Sequence, residues 1–240
     1  LVAAEGCFDD VLDVDATTTT GDGKGETRRE DLQIRDSSPL VLVEVKGVAG
    51  FPSEAEALQV VKYMAPRMRE LSRLDIIGLC IANHQRRNLP ALDRNHESAF
   101  SKDVVTTAEQ QQVGLLTAWT LYRLCRGVAV NSWPLDRVRS VLYRAGLIAP
   151  VPGHYTLVGE VYHYYPDAQV VSIAVRSESV RKGDLLAIEG PVDYHEFGCT
   201  ELQQDRTPAV EVLPGARAGV KTPVDRGVCR EGVRVFKVTR

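Results

Sequence analysis

Residues 30–47 read EDLQIRDSSPLVLVEVKG, and this stretch decides the fold. Asp31–Ile34 and Leu40–Val45 read as two neighbouring strands, the second nearly continuous in β-branched residues and Leu. Side chains two apart in a strand share a face, so Glu44 and Lys46 project together. A paired strand brings Asp31 beside them. A Glu and a Lys in so apolar a strand are costly without a task. The pair serves either chemistry or a buried or edge ion pair with no catalytic role.

Upstream, Leu1 to Cys7 reads as the end of a helix, and residues 17–30, TTTTGDGKGETRRE, as a polar loop or hairpin tip. That loop is no P-loop, because Gly-Lys-Ser/Thr is missing at the required spacing. Downstream, the pattern predicts one helix from Ser53 to Leu71, opened by a Ser53/Glu56 capping box and broken or kinked at Pro66. A strand over Asp75–Ala82 runs into the basic loop NHQRRN. A strand over Val104–Thr107 follows, then a helix over Gln110–Cys125 with Leu115, Leu116, Trp119 and Tyr122 on its apolar face. Residues 131–147 suit a short helix started by Ser132 before Pro134 and stopped near Gly146. Strands alternating with helices imply a mostly parallel or mixed sheet under helices.

The pattern changes at APVPGH, residues 149–154. Short strands then recur at Leu157–Tyr165, Gln169–Arg176, Leu185–Ile188, Ala209–Val212, Ala218–Lys221 and Val233–Val238, with Gly and Pro turns between them. That spacing predicts a small closed β-barrel or a sandwich.

Composition narrows the class. Apolar residues are 44% and charged residues 25% of 240, and the net charge is −3, as in soluble globular proteins. No apolar run approaches the length that crosses a bilayer, so no membrane partner is expected and a cytoplasmic location is. The five cysteines lack a CxxC pair, which favours reduced, buried thiols over a zinc site. Residues 62–94 gather Lys62, Arg67, Arg69, Arg73, Arg86, Arg87 and Arg94 against Glu70, Asp75 and Asp93. This is a phosphate-tracking patch or a solvated face.

An acid on one strand, Glu-x-Lys on the next and a helix after it resemble the PD-(D/E)xK nuclease superfamily, over roughly residues 1–125. Gln59 and Tyr63 fall four apart in AEALQVVKYM, one helical turn, similar to the QxxxY element of RecB-like members. The resemblance implies an α/β restriction-endonuclease-like core and Mg²⁺-dependent cleavage of nucleic acid, DNA rather than RNA, with Mn²⁺ as a substitute. It implies Asp31 and Glu44 as metal ligands, Lys46 as the polar catalytic residue, and Gln59 and Tyr63 beside the site. Glu5 stands where many members carry a further acidic ligand, with Asp9 or Asp10 as alternatives. Two carboxylates with open positions left for water suit this hard ion, which lowers the pKa of a bound water and offsets phosphate charge.

The second half resembles the β-barrel found as domain 2 of translation elongation factors of the EF-Tu kind. The likeness rests on Val158-Gly159-Glu160-Val161, SVRKGDLLAIEGP at 179–191, Gly215, Gly219-Val220-Lys221 and Glu231-Gly232. It implies an accessory module, in which Tyr162, Tyr164 and Tyr165 either stack bases or pack inside. The expected organisation is a nuclease-like domain over 1–128, a helical linker over 129–154 and a translation-factor-like barrel over 155–240. A homodimer or a larger multidomain partner is compatible with it. The alternative is a catalytically silent nucleic-acid-binding or scaffold protein on the same fold. A translation-linked RNA-binding factor, suggested by the barrel alone, would want a basic barrel, and residues 151–240 are not basic.

Overall fold

The computed structural model describes residues 7–14 and 29–239. Two units divide the chain: one comprises residues 1–125 and 134–151, the other residues 126–133 and 152–240.

The first unit is a mixed α/β layer. Strands β1 (Val11–Asp13), β2 (Leu32–Arg35), β3 (Leu40–Gly47), β4 (Ile76–Asn83), β5 (Val113–Thr117) and β6 (Gly146–Leu147) form one sheet in sequence order. The β1, β2 and β3 pairings are antiparallel, and those from β3 to β6 are parallel. Even-numbered residues of β3 face one way: Leu40 and Leu42 share a buried cluster with Ala57, Val60, Met64 and Cys80.

The connections are helical: α1 (Glu54–Ala57), α2 (Val61–Leu71), α3 (Lys102–Gln110), α4 (Ala118–Asn131) and α5 (Leu135–Leu142). The capping box forms as read. The Ser53 hydroxyl accepts from the Glu56 amide, and Glu56 Oε2 takes the Ser53 amide at 2.8 Å. The single helix expected over 53–71 is instead two, parted by a turn at 58–60, while Pro66 is accommodated inside α2. Gly78 lets α2 approach β4, since a Cβ there would lie 2.7 Å from Val60 Cγ1.

Two further expectations are corrected. Val104–Thr107 is helix, not strand: Ser101 caps α3 by accepting from the Val104 amide, and Val104 and Ala108 bury one helical turn apart. Conversely, the helix expected over Gln110–Cys125 is a strand and a helix in succession. Val113–Thr117 is buried at every position as an interior parallel strand, and Thr117 Oγ1 then accepts from the Thr120 amide at 3.0 Å to start α4. A continuous apolar run does not tell a doubly covered strand from a helix. The last short helix begins after Pro134 and ends at Leu142, and Ser132 itself has a positive φ of 53°.

The second unit is antiparallel. Strands β7 (Tyr155–Tyr165), β8 (Val170–Val175), β9 (Val180–Arg181), β10 (Leu185–Glu189), β11 (Tyr194–Gly198), β12 (Leu202–Gln204), β13 (Thr207–Pro208), β14 (Glu211–Val212), β15 (Arg217–Lys221) and β16 (Arg234–Val238) follow one another. Eight of them order as β11-β10-β16-β7-β8-β15-β12-β13, and β9 pairs separately with β14. Among the described residues no pairing joins β11 to β13, so the sheet does not close into the expected ring. Gly183, Gly215 and Gly232 take positive φ in the turns, at 97°, 93° and 81°. The core comprises Val158, Val171, Ile173, Leu186, Ile188 and Val235 among others. Residues 126–133 complete this unit. Trp133 Nε1 donates to the Tyr155 hydroxyl at 3.1 Å, which donates to Glu196 Oε1 at 2.6 Å. Arg126 grips Asp193 with two hydrogen bonds, at 2.9 and 2.5 Å.

Candidate active site

Glu44 is the hub of the site. It is 2% exposed on β3, and its Oε1 accepts from Lys46 Nζ and, at 2.7 Å, from Gln59 Nε2. Strand parity places Lys46 on the same face as Glu44, and the turn between α1 and α2 presents Gln59 to that face. Gln59 Nε2 also lies 3.3 Å from the Tyr63 hydroxyl in α2. Two donors, one cationic, hold Glu44 as an ordered carboxylate where an unpaired charge would be untenable.

Asp31 comes in from the neighbouring strand. Its amide donates to the Val43 carbonyl at 3.0 Å, and its Oδ2 accepts the Val45 amide at 2.6 Å. The carboxylate therefore lies against β3 between Glu44 and Lys46. The Cys80 thiol, opposite Glu44 on β4, registers the same cluster. Burial pushes it up to about 12, Lys46 pulls it back, and Glu44, Glu56 and Asp31 raise it further. All five cysteines are free thiols.

Asp31, Glu44, Lys46, Gln59 and Tyr63 are thus brought together. Glu5 lies outside the described residues. Asp9 and Asp10 sit at the far end of β2, where Asp9 donates its amide to Asp36 and the Asp10 carbonyl accepts from Arg35. Four residues of strand, on the order of 13 Å, separate that end from Asp31, so neither joins the cluster. No group of three or more Asp, Glu, His or Cys side chains poised for a metal occurs among the described residues. The donors Asp31 and Glu44 offer are carboxylate oxygens, which suit Mg²⁺ with water completing its shell.

The basic cluster of residues 62–94 divides. Arg67 is 7% exposed and donates to the wholly buried Glu30 at 2.7 Å and to Glu70 at 2.9 Å, while Gln33 shares Glu30 Oε1. Arg73 pairs with Asp75, and its guanidinium holds that carboxyl far below the usual range. Arg67 and Arg73 therefore serve structure. Lys62, Arg69, Arg86 and Arg87 stay exposed.

Sequence reading passed over an aromatic row at the carboxyl ends of the parallel strands. Phe51 stacks on His84 with centroids 5.7 Å apart, and His84 meets His96 edge-on at 5.0 Å. His96 stacks on Trp119 at 5.7 Å, and Trp119 on Tyr122 at 5.3 Å. His96 Nε2 lies 2.7 Å from the Ala91 carbonyl, to which only an N–H can donate, so Nδ1 is left to accept from His84 Nε2 at 3.0 Å. That chain requires His96 neutral, and burial, the main cause in each ring, keeps both pKa values below the ordinary one. The expected helix puts Trp119 and Tyr122 on its apolar face, and in sequence the row shows only as their spacing of three and as His84 in a basic loop.

The tyrosines of the second unit separate similarly. Tyr164 packs on the core, Tyr162 lies under the Arg217 guanidinium at 3.7 Å, and Tyr165 is half exposed against His163.

A scan against protein-family models matches none, and a search of curated proteins gives no match. Among solved structures, the chain is similar to the C-terminal domain of a Geobacillus thermoleovorans U32 peptidase. Identity is 15% and the TM-score 0.31, over 35% of this chain and 93% of that one. It is similar to bacterial selenocysteine-specific elongation factor EF-Sec at 12% identity and TM-score 0.31, over 80% of this chain and 44% of that one. Elongation factor SelB of Methanococcus maripaludis gives 14% identity and TM-score 0.30, over 82% of this chain and 41% of that one. The chain spans less than half the length of these two factors. At these TM-scores the likeness carries no argument about function. No helix among the described residues is long and apolar enough to cross a membrane.

Proposed function

We propose that this chain is a Mg²⁺-dependent nuclease that hydrolyses phosphodiester bonds of DNA, with a restriction-endonuclease-like first unit and a barrel-like second unit as accessory binding module. The observation that carries the reading is Glu44: a buried carboxylate gripped by Lys46 and Gln59, with the Asp31 carboxylate against the intervening Val45 amide. Asp31 and Glu44 would hold the ion, which supplies a water of lowered pKa and charge neutralisation at the phosphate. Lys46, anchored by Glu44, orients the attacking water and offsets charge gathering on the non-bridging oxygens. Gln59 fixes the Glu44 rotamer, and Tyr63 backs Gln59. In the reaction a water oxygen bonds to phosphorus and gives up a proton to solvent, the P–O ester bond breaks, and the leaving alkoxide takes a proton back from solvent.

The test is cleavage of single- and double-stranded DNA with Mg²⁺ or Mn²⁺ by wild type, Lys46→Ala and Glu44→Ala. Loss of a transition-state stabiliser costs about 10² to 10³ in rate, and both variants are expected to fall at least that far while remaining folded. A second reading, a catalytically silent binding protein, draws on the fact that Lys46 and Gln59 already engage the same Glu44 oxygen. Wild type without metal-dependent cleavage, and variants that bind DNA unchanged, would establish it instead.

A further inference from the structure

The aromatic row lies where the proposed chemistry would be, yet no step of that chemistry uses it. Gly47 pairs with Asn83 across β3 and β4, and Ala82 with Thr117 across β4 and β5. Phe51 follows four residues after Gly47, His84 directly after Asn83, and Trp119 two after Thr117. The row therefore crosses the carboxyl edge of three parallel strands, one of which ends in Lys46-Gly47. Its foundation is rigid. The loops after β3 and β4 are tied by the Val48 amide on the Asn83 carbonyl at 3.1 Å and the Gln85 amide on the Gly50 carbonyl at 2.9 Å.

A cluster serving only to pack would bury its ends. Here His84 is 1% exposed, while Phe51 and Tyr122, the two ends, are 53% and 46% exposed. Between them His96 and Trp119 are half-buried, and the two termini present the most ring surface to solvent. The adjoining charge is positive. The Arg86 guanidinium lies over Gly47, 2.8 Å from where a Cβ would stand, and among the described residues neither Arg86 nor Arg87 has a carboxylate partner. Half-exposed aromatic rings on the strand edge that carries the Arg86 guanidinium match one polymer in both respects: unpaired bases offer faces to stack, and the phosphates linking them need cations. Bases already stacked in a duplex cannot use such a surface.

We infer that Phe51 and Tyr122, set on the His84–His96–Trp119 foundation, stack the unpaired bases of a single-stranded nucleic-acid segment whose backbone phosphates meet Arg86. This deepens the nuclease reading and rests on it for the identity of the polymer. It makes the substrate a single-stranded segment, or a duplex with unpaired nucleotides at the edge of the site.

The experiment measures binding by the full chain in EDTA, so that no cleavage enters. Anisotropy of a labelled oligothymidylate of about 20 nucleotides, longer than one groove typically covers, is compared with that of a blunt duplex of equal length. Wild type is expected to prefer the single strand. Phe51→Ala and Tyr122→Ala are each expected to weaken single-strand binding by about ten- to a hundredfold, the scale of one lost base stack, and to leave duplex binding unchanged. Phe51→Leu keeps apolar bulk and removes the π-face, so it should fall with Phe51→Ala; should Phe51→Ala misfold, the leucine variant decides. Arg86→Ala should lower both affinities and flatten the salt dependence. No single-strand preference in wild type, or wild-type affinity in folded Phe51→Leu and Tyr122→Ala, overturns the inference. The two readings fail separately. Ring-dependent binding without Mg²⁺-dependent cleavage sinks the nuclease and keeps the platform. Cleavage lost in Lys46→Ala but untouched in both ring variants does the reverse.

Discussion

At the scale of single residues, Glu44 and Cys80 report on one another. A carboxylate 2% exposed is tolerated because Lys46 and Gln59 both donate to it. The thiol directly across the sheet feels that charge and its own burial, and stands at about 12. The thiolate is the nucleophile, so at pH 8 the buried Cys80 thiol, held protonated by its raised pKa, is a poor one. Iodoacetamide at pH 8 is therefore expected to label the half-buried Cys125 well ahead of Cys80 in the folded protein, and both alike in denaturant, as read by peptide mass spectrometry. Equal rates in the folded state would mean that β4 opens there. The catalytic candidates were legible because strand parity alone puts Glu44 and Lys46 on one face. The buried Glu30–Arg67 pair was not: nothing local distinguishes Arg67 from the exposed Arg69 until α2 is packed on the sheet.

At the scale of elements, the capping box before α1 was readable from Ser53 and Glu56, and it has a definite pH signature. Ser53 hydrogen bonds hold the Glu56 carboxyl below its usual pKa. A depressed carboxyl stabilises the fold above its unfolded pKa, near 4.5, and that contribution vanishes as pH falls through the folded value. Ser53→Ala is expected to cost about 1 kcal/mol at pH 7, and the deficit should shrink below about pH 4. Urea denaturation of the two proteins at pH 7 and at pH 3.5 measures it; a deficit undiminished in acid would assign the loss to something other than the box. Elements with end signals of this kind were found. The stretch 102–117 was inverted because its signals are tertiary. The α3 sequence KDVVTTAEQ is rich in β-branched residues yet forms a helix capped by Ser101, while VGLLT is a strand because both its faces are covered. The aromatic row escaped for a related reason: its members come from four separate segments and are joined only by the ends of the parallel strands.

At the scale of the whole molecule, each unit has its own core, and the boundary does not follow the chain. Helix α4 begins in the first unit and ends in the second. Trp133 belongs to the second unit, among Tyr155, Tyr194 and His154, with ring centroids 5.3 to 6.0 Å away. Trp133→Ala is expected to cost about 3–5 kcal/mol, read as faster amide hydrogen exchange in β7 and β11. Exchange that stays at the wild-type rate there would show the sheet holding without its tryptophan. A break at residues 149–154 was visible in sequence as a change from helical to strand periodicity. The earlier excursion at 126–133 was not, because a helix passing between units keeps its period throughout. The excursion sets an order of events on the ribosome. Residues 126–133 emerge before any strand of the unit they belong to, and the first unit still awaits 134–151 when they do. An intact second unit cannot be inherited as the consecutive piece 152–240, so a gene fusion or truncation that respected the break at 152 would leave that sheet without Trp133.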